Sequence, residues 1–211
     1  LHLWNVPCPK QEDYTRYKAL PEEIPPKSGR GFVLPYASEP DHFESNGEFV
    51  YMDIITKARH SLYITTPYLC LDNELVTALG NAAKCGVDVK IIVPGISDHW
   101  YADAAAQSYY LELMTDGVEI YSYTPGFIHA KNVVCDNETA VVGTVNWDYR
   151  SLYLHFECGT WMYKTPAVQD IQKDFEETLK KCRRLNTSDI TEQRWPRRLL
   201  NSIMRVFAPL M

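Results

Sequence analysis

Residues 87–93 (VDVKIIV) form a run of β-branched side chains, and this run limits the possible folds more than any other segment. Such a run is typical of a strand buried on both faces, in a sheet that helices cover on each side. One helical pattern precedes it, and another follows at about residues 100–115. Strands that alternate with helices in this way indicate an α/β sandwich with a mixed central sheet.

Capping signals predict where the helices begin and end. Ser45 starts a capping-box sequence (SNGE) for a first helix. Asp72 is the expected N-cap of a second helix, and Gly86 is its expected C-terminal glycine. Pro166 opens a later helix, whose apolar stripe is expected to continue to Cys182. The remaining strands are expected at residues 61–66, 118–121, 128–135, 140–142 and 155–163.

Composition is that of a folded globular chain. The 211 residues are 45% hydrophobic and 12% aromatic, which is enough to bury a sizeable core. A membrane-spanning helix needs about 20 consecutive apolar residues, and the longest mostly apolar, uncharged stretch is residues 61–71. The six cysteines form no C-x-x-C pair, so neither a zinc site nor a redox dithiol is predicted. We expect no cofactor and no metal.

Charge is distributed unevenly along the chain. Residues 180–205 contain eight Lys or Arg against Asp189 and Glu192, a balance of +6; since the whole chain carries −6, the rest carries −12. An acidic body argues against a general nucleic-acid binder. The basic stretch predicts contact with an anionic surface, with a solvated basic helix as the alternative.

The sequence predicts three segments. Seven of the thirteen prolines fall in the first forty residues, so residues 1–30 are interpreted as a Pro-rich linker leading into a domain. Residues 31–185 form the main domain, and residues 186–211 form a basic amphipathic tail. Since the chain begins at Leu1 rather than Met, we expect it to be a piece of a longer protein.

Within the tail, residues 195–211 predict an amphipathic helix. Its apolar arc contains Leu199, Ile203, Val206, Phe207 and Leu210, and its polar arc contains Arg198, Asn201, Ser202 and Arg205. Such a helix lies in the headgroup plane of a membrane, where each cation near an anionic leaflet contributes about 1 kcal/mol. Packing against a missing part of the protein is the alternative.

A cluster of chemically active residue types lies between His129 and Asn146. On a strand, positions two apart share a face, so His129 and Lys131 are expected to project together. This pair suits a phosphate, because the ammonium holds the oxygens while the imidazole attacks phosphorus or moves a proton. Gly143, Thr144 and Asn146 are expected to add hydrogen-bond donors around the same anion. A lone His beside a Lys is usually structural, whereas the full spacing favours a site.

That spacing, H-x-K-x4-D-x6-G-[S/T]-x-N, resembles the signature of the phospholipase D superfamily. Further segments resemble the second half of bacterial cardiolipin synthases: residues 61–72, 95–110, 117–131 and 146–157. The resemblance covers roughly residues 30 to 211 and implies a phospholipase D-like α/β/α sandwich. It also implies metal-free phosphatidyl transfer between two phosphatidylglycerol molecules, through a phosphohistidine intermediate, to give cardiolipin and glycerol.

The resemblance assigns roles to the motif residues. It makes His129 a catalytic histidine, and it makes Lys131 and Asn146 the residues that hold the phosphate. Thr144 stands where serine is commoner and keeps the hydroxyl for substrate binding. Asp136 corresponds to a family position that is more a structural support than a phosphate ligand.

Four further residues lie outside the motif and bear on the site. The resemblance makes Glu157 a carboxylate that orients the catalytic histidine and fixes its tautomer; a solvated strand glutamate is the alternative. His155 stands where these synthases more often have asparagine. His99, in a loop that follows a buried strand, is a candidate substrate contact. Tyr68 is either at the entrance of the site or packed inside.

The motif accounts for only half of an active site. A complete site in this superfamily uses two H-x-K motifs, and no other histidine of this chain is followed two residues later by lysine. The second motif is therefore expected either from a missing N-terminal half or from a second copy. The expected location is the cytoplasmic face of the bacterial membrane, as a peripheral protein. The alternatives are a phosphodiesterase or nuclease that acts as a homodimer, and a regulatory module without turnover.

Overall fold

The computed structural model describes residue 13 and residues 15–17, 29–40 and 45–210. Most of the predicted linker, residues 1–30, thus lies outside the described residues. The strands are β1 (Phe32–Ser38), β2 (Ser61–Thr65), β3 (Leu69–Cys70), β4 (Asp88–Pro94), β5 (Glu119–Tyr123), β6 (Asn132–Cys135), β7 (Thr139–Gly143), β8 (Trp147–Asp148), β9 (Glu157–Tyr163) and β10 (Cys182–Arg184). The α-helices are α1 (Asn46–Lys57), α2 (Asn73–Lys84), α3 (Trp100–Thr115), α4 (Pro166–Leu179), α5 (Thr187–Thr191) and α6 (Trp195–Val206). A π-helical turn (Arg150–Leu154) and 3₁₀ turns (Thr15–Tyr17, Ala208–Leu210) complete the described elements.

A mixed sheet of eight strands forms the centre of the domain, in the order β1-β9-β7-β6-β2-β4-β5-β10. β4 lies between two parallel neighbours, β2 and β5, while the other pairings are antiparallel. A second, two-stranded sheet pairs β3 with β8 in parallel. The predicted α/β class with a mixed sheet is confirmed, and the β-branched run is the interior strand that its sequence predicts.

Helices cover both faces of the large sheet, and side-chain alternation decides which residues face which layer. In β2, Leu62 and Ile64 join the main core with residues of α1, α2 and α3. Tyr63 points to the other face, where its ring stacks on Phe175 of α4 at 4.8 Å between centroids. The three layers are therefore helix, sheet and helix.

The predicted helix caps are formed. The Ser45 hydroxyl accepts a hydrogen bond from the Glu48 N–H at 3.3 Å, and the Asp72 carboxylate accepts one from the Leu75 N–H at 2.7 Å. Gly86 follows α2 with a φ of +92°, a left-handed conformation that glycine adopts without steric cost.

Three boundaries differ from the sequence expectation. The strand predicted at residues 128–135 begins only at Asn132, because its partner β2 ends at Thr65. Pro67, two residues after that end, has no N–H with which to continue the pairing. The strand predicted at 155–163 begins at Glu157, which pairs with Ser38 at the end of β1, and its pairing with β7 begins at Gly159. Cys182, which the sequence pattern places on the apolar stripe of α4, lies instead in β10, where it pairs with Tyr123 of β5.

The tail helix packs against the body through only part of its polar arc, Asn201 and Arg205, together with Arg197, while Arg198 and Ser202 are exposed. Asn201 is only 4% exposed, and Arg197 and Arg205 form ion pairs with Asp103 and Glu112 of α3 at 2.9 and 2.8 Å. The apolar arc, Leu199, Ile203, Val206, Phe207 and Leu210, faces away from the described body and is exposed. The predicted single helix over 195–211 is also interrupted, since α6 ends at Val206 and a 3₁₀ turn follows.

Candidate active site

His129 and Lys131 lie in the non-strand segment that leads into β6. Strand alternation therefore does not hold the two side chains together, which corrects the sequence expectation. Instead, Lys131 Nζ donates a hydrogen bond to the backbone oxygen of His129 at 2.7 Å. The Lys131 residue is only 9% exposed, so its ammonium is fixed beside the histidine rather than free to move in solvent.

Burial and the lysine charge both act on His129. Partial burial, followed by the Lys131 ammonium, lowers the pKa of His129 below 6.5, and Asp98 opposes this effect. Burial also lowers the pKa of Lys131, with the carboxylates of Glu157 and Asp148 acting against it. A negatively charged phosphate at this position would neutralise the ammonium, so the local charge favours binding of an anion.

The backbone amides of Gly143 and Thr144 form hydrogen bonds within the protein. A Cβ on Gly143 would lie 2.5 Å from the Cys158 carbonyl oxygen, so only glycine allows β7 and β9 to approach this closely. The Gly143 N–H donates to Lys131 O at 3.3 Å and the Thr144 N–H donates to Cys158 O at 2.9 Å. Since these amides are already engaged, the expectation that they bind the anion is wrong for this geometry.

Asn146 offers a polar group at the site. Its Nδ2 donates to Ser151 Oγ at 2.9 Å, and its Oδ1 is buried without a hydrogen-bond partner among the described residues. The amide also donates to the buried Asp148 carboxylate, so its NH₂ group is held towards Asp148 and Ser151. Asn146 lines the pocket beside the motif, and the phosphate-holding role that the resemblance implies for it stays a prediction.

Glu157 contacts Thr144 and His155. The Thr144 hydroxyl donates to a Glu157 carboxylate oxygen and accepts from the Cys158 N–H, and His155 Nδ1 lies 3.5 Å from Glu157 Oε1. No hydrogen bond joins Glu157 to His129 within the described residues, so the predicted orienting contact is not formed in this single chain. Thr144 is here a support for Glu157, since its hydroxyl is fully used.

Asp136 lies at the far end of β6 from the histidine. It occupies the tight turn between β6 and β7 with a φ of +52°, a conformation that Asp tolerates better than most residues. Its carboxylate accepts hydrogen bonds from the backbone N–H groups of Arg59, His60 and Ser61 at 2.8–2.9 Å. These contacts are those of a structural support that ties the hairpin to the start of β2.

A pocket of about 420 Å³ adjoins the motif. Asn146 and His99 line it, whereas His129 and Lys131 do not. Tyr68 connects the two regions, because it lines the pocket and its ring meets the His129 ring edge-on at 6.5 Å. The Tyr68 hydroxyl donates to Asp98 Oδ2 at 2.7 Å. Tyr68 and His99 thus both line this pocket, and the substrate contact proposed for His99 stays a prediction.

Asp148, Arg150 and Ser151 also line the pocket, although the motif pattern did not single them out. Burial raises the pKa of the Asp148 carboxyl, although hydrogen bonds from Ser151 and Asn146 oppose this shift. The signal was present, since these residues continue the motif directly as Asn146-x-Asp148-x-Arg150-Ser151. The β3–β8 pairing is what folds this continuation onto the pocket.

Two properties of the described part of the chain bear on its chemistry. No group of three or more His, Cys, Asp or Glu side chains there is placed to hold a metal ion. None of the helices described there is both long and apolar enough to cross a bilayer.

Comparison with solved structures identifies the class of fold. A phospholipase D family member, Nuc from Salmonella typhimurium, superposes with a TM-score of 0.61 at 21% identity, over 74% of this chain and 99% of that chain. Phosphatidylserine synthase from Haemophilus influenzae Rd KW20 superposes with a TM-score of 0.62 at 16% identity, over 84% of this chain and 45% of that chain. The fold is therefore that of the phospholipase D family.

Sequence comparison is more specific. The family model for the cardiolipin synthase, PLD-like domain, matches residues 51–179, and the chain belongs to this family. Cardiolipin synthase from Halalkalibacterium halodurans is 36% identical over 181 residues, which is 86% of this chain and 36% of that protein. Cardiolipin synthase from Clostridium perfringens (strain SM101) is 38% identical over 83% of this chain and 37% of that protein.

A further relative, an uncharacterized protein of Streptococcus mutans, is 44% identical over all 211 residues, which is 45% of its own length. The chain thus spans less than half the length of each of these relatives.

Proposed function

We propose that this chain supplies one half of the active site of a phosphatidyltransferase that forms cardiolipin and glycerol from two phosphatidylglycerol molecules. The observation that carries the proposal is the Lys131 ammonium hydrogen-bonded to the backbone oxygen of His129, in a chain of the cardiolipin synthase family, with Asn146 on the wall of the adjoining pocket. The activity of the whole protein needs a second H-x-K motif, which comes from upstream sequence or from a second subunit.

The reaction divides into two steps. In the first, a histidine nitrogen bonds to the phosphorus of one phosphatidylglycerol, the bond from phosphorus to the glycerol oxygen breaks, and glycerol leaves with a proton from the other histidine. In the second, the terminal hydroxyl of another phosphatidylglycerol attacks the phosphohistidine. Its proton goes to that other histidine, and the P–N bond breaks to give cardiolipin. We assign the proton transfers to His129 and the nucleophile to the second motif.

Lys131 and Asn146 stabilise the anion in both steps. A partly buried ammonium stabilises the charge on the phosphate oxygens more strongly than a solvated one, because the surrounding dielectric is lower. The lowered pKa of His129 favours the neutral imidazole near neutral pH, which is the form that accepts the proton from the incoming hydroxyl. The proton that His129 accepts in the second step restores the protonated form that delivers a proton to glycerol in the next turnover.

The tail helix supports a membrane location. Its sequence, WPRRLLNSIMRV, contains three arginines and no carboxylate, and its apolar arc is exposed. An arc of this kind, flanked by the exposed Arg194 and Arg198, suits insertion among anionic headgroups. The proposal therefore includes peripheral contact with the cytoplasmic face of the bacterial membrane and phosphatidylglycerol as the anionic lipid partner.

A product assay tests this function. The protein with both motifs is incubated with phosphatidylglycerol vesicles, with and without excess chelator, and a single-stranded oligonucleotide is offered in parallel. We expect cardiolipin and glycerol in equal amounts, unaffected by chelation, since Lys131 provides the cation. Cleavage of the oligonucleotide without cardiolipin formation would instead support the homodimeric phosphodiesterase or nuclease. Absence of turnover on both would support the non-catalytic module.

A further inference from the structure

Phosphatidyl transfer between two phosphatidylglycerol molecules brings two phosphodiesters to one site, and only one of them reacts. The phosphodiester of the acceptor lipid stays intact, one glycerol away from the phosphorus under attack. Lys131 and Asn146 serve the reacting phosphate in the proposed function. The intact phosphate needs a partner of its own, because burying an unpaired anion beside another anion is costly.

Arg150 has the charge and the position for this partner. It lines the same pocket as Asn146, its side chain is exposed there, and no described carboxylate forms an ion pair with it. Many other cations of the domain are already neutralised, for example Arg184 by Glu119 at 2.6 Å and Lys84 by Asp116 at 2.7 Å. Asp148, two residues before Arg150, is buried, and its carboxylate accepts a hydrogen bond from the Ser151 N–H at 2.7 Å. This carboxylate therefore faces the backbone of the Arg150–Leu154 turn.

The spacing between the two groups is fixed by the fold. Asn146 and Arg150 flank β8, and β8 is locked by its pairing with β3 and by Trp147. The Trp147 ring is fully buried and stacks on Tyr51 at 4.6 Å between centroids. A rigid strand between Asn146 and Arg150 keeps a donor for one phosphate and a cation for another at a constant separation.

We infer that Arg150 binds the intact phosphodiester of the acceptor, with His99 and His155 as neighbouring N–H donors on the same pocket wall. A guanidinium binds two phosphate oxygens at once, which gives orientation as well as affinity. The pocket is then the acceptor subsite, and Arg150 makes the enzyme prefer a glycerol that carries a phosphodiester to a neutral alcohol. This inference rests on the proposed phosphatidyl transfer.

A matched pair of soluble acceptors tests it in the protein with both motifs. Labelled glycerol is neutral, whereas labelled glycerophosphoglycerol presents the same glycerol on a phosphodiester, and phosphatidylglycerol is the donor for both. We expect the wild type to prefer glycerophosphoglycerol. Arg150→Gln should reduce that preference by about tenfold or more, because the charge-assisted hydrogen bonds to the phosphodiester are lost. Transfer to glycerol should change little. Arg150→Lys should restore part of the preference.

Arg59→Gln is the matched control, since Arg59 is an exposed arginine at the turn between α1 and β2. It should leave the preference unchanged. An equal loss with both acceptors in Arg150→Gln, or no preference in the wild type, would overturn the inference while cardiolipin formation still supports the function. A wild type that exchanges labelled glycerol but forms no cardiolipin would contradict the proposed function and the acceptor subsite together.

Discussion

At the scale of single residues, the pKa of His129 is shifted by its burial and by two charged neighbours. Burial and Lys131 lower its pKa, and Asp98 raises it. Asp98→Asn removes the opposing carboxylate while keeping an oxygen that can accept from the Tyr68 hydroxyl. We therefore expect the pKa of His129 to fall further in this variant. An NMR titration of the imidazole resonances measures it, and an unchanged or increased pKa would contradict the electrostatic account.

Asp136 is a second residue with a measurable contribution. Burial raises its pKa, but hydrogen bonds from Ser61, His60 and Arg59 outweigh this effect, so its pKa lies below 3.8. Asp136→Ala should lower the free energy of unfolding at pH 7 by about 2–4 kcal/mol, because three backbone donors lose a charged acceptor.

The pH dependence of the same variant provides the check. A folded-state pKa below the unfolded value means that the stabilisation is complete above pH 3.8 and is lost as the pH falls through the folded value. Urea denaturation gives the free energy of unfolding of the wild type and of Asp136→Ala. The difference between these two free energies should become smaller as the pH is lowered. A difference that stays constant down to pH 2 would show that the turn conformation, and not the charge, is responsible.

The sequence predicted the residues of the motif better than their contacts. His129, Lys131 and Asn146 could be found because their types and spacing carry chemistry within eighteen positions. The engagement of the Gly143 amide, the use of the Thr144 hydroxyl by Glu157 and the arrival of Arg150 at the pocket depend on strand pairing across the sheet. Such contacts join residues far apart in sequence, so local patterns do not reveal them.

At the scale of elements, α6 shows that an amphipathic pattern does not determine which face of a helix packs against the protein. A periodic pattern predicts two faces but not which one is buried, and here the polar face is satisfied by Asp103, Gln107 and Glu112 of α3. Arg205 also lies over the Tyr109 ring at 4.4 Å, which adds a cation–π contact. These partly exposed ion pairs and the buried Asn201 therefore fix the orientation, and the apolar arc remains exposed.

The exposed apolar arc of the tail helix leads to a prediction for membrane binding. Val206 is 75% exposed, and Val206→Glu should weaken binding to vesicles that contain phosphatidylglycerol by about tenfold, through lost apolar burial and added repulsion. Gln169→Glu, the same charge change on the exposed surface of α4, should have little effect. Co-sedimentation measures both variants, and equal binding by Val206→Glu and the wild type would assign the arc to a protein interface.

At the scale of the whole molecule, local patterns were sufficient for the fold class but not for the strand order. The alternation of strands and capped helices predicted a mixed sheet, and the structure places its parallel part at β2-β4-β5, where helices lie in the connections. In the antiparallel half, β9 pairs with β7 on one side and, on the other, with β1, which lies more than a hundred residues earlier in the chain. No periodicity within a segment encodes its partner, so this half could be known only from the structure.

The most direct test of the account uses His129→Ala in the protein that carries both H-x-K motifs on one chain. General acid–base assistance contributes about 10²- to 10⁴-fold, whereas loss of a nucleophile removes the covalent route. The account predicts that cardiolipin synthesis is lost, that nitrophenolate is still released from an activated substrate, and that a phosphohistidine accumulates on the other motif. Retained cardiolipin synthesis, or absence of both nitrophenolate and phosphohistidine, would contradict it.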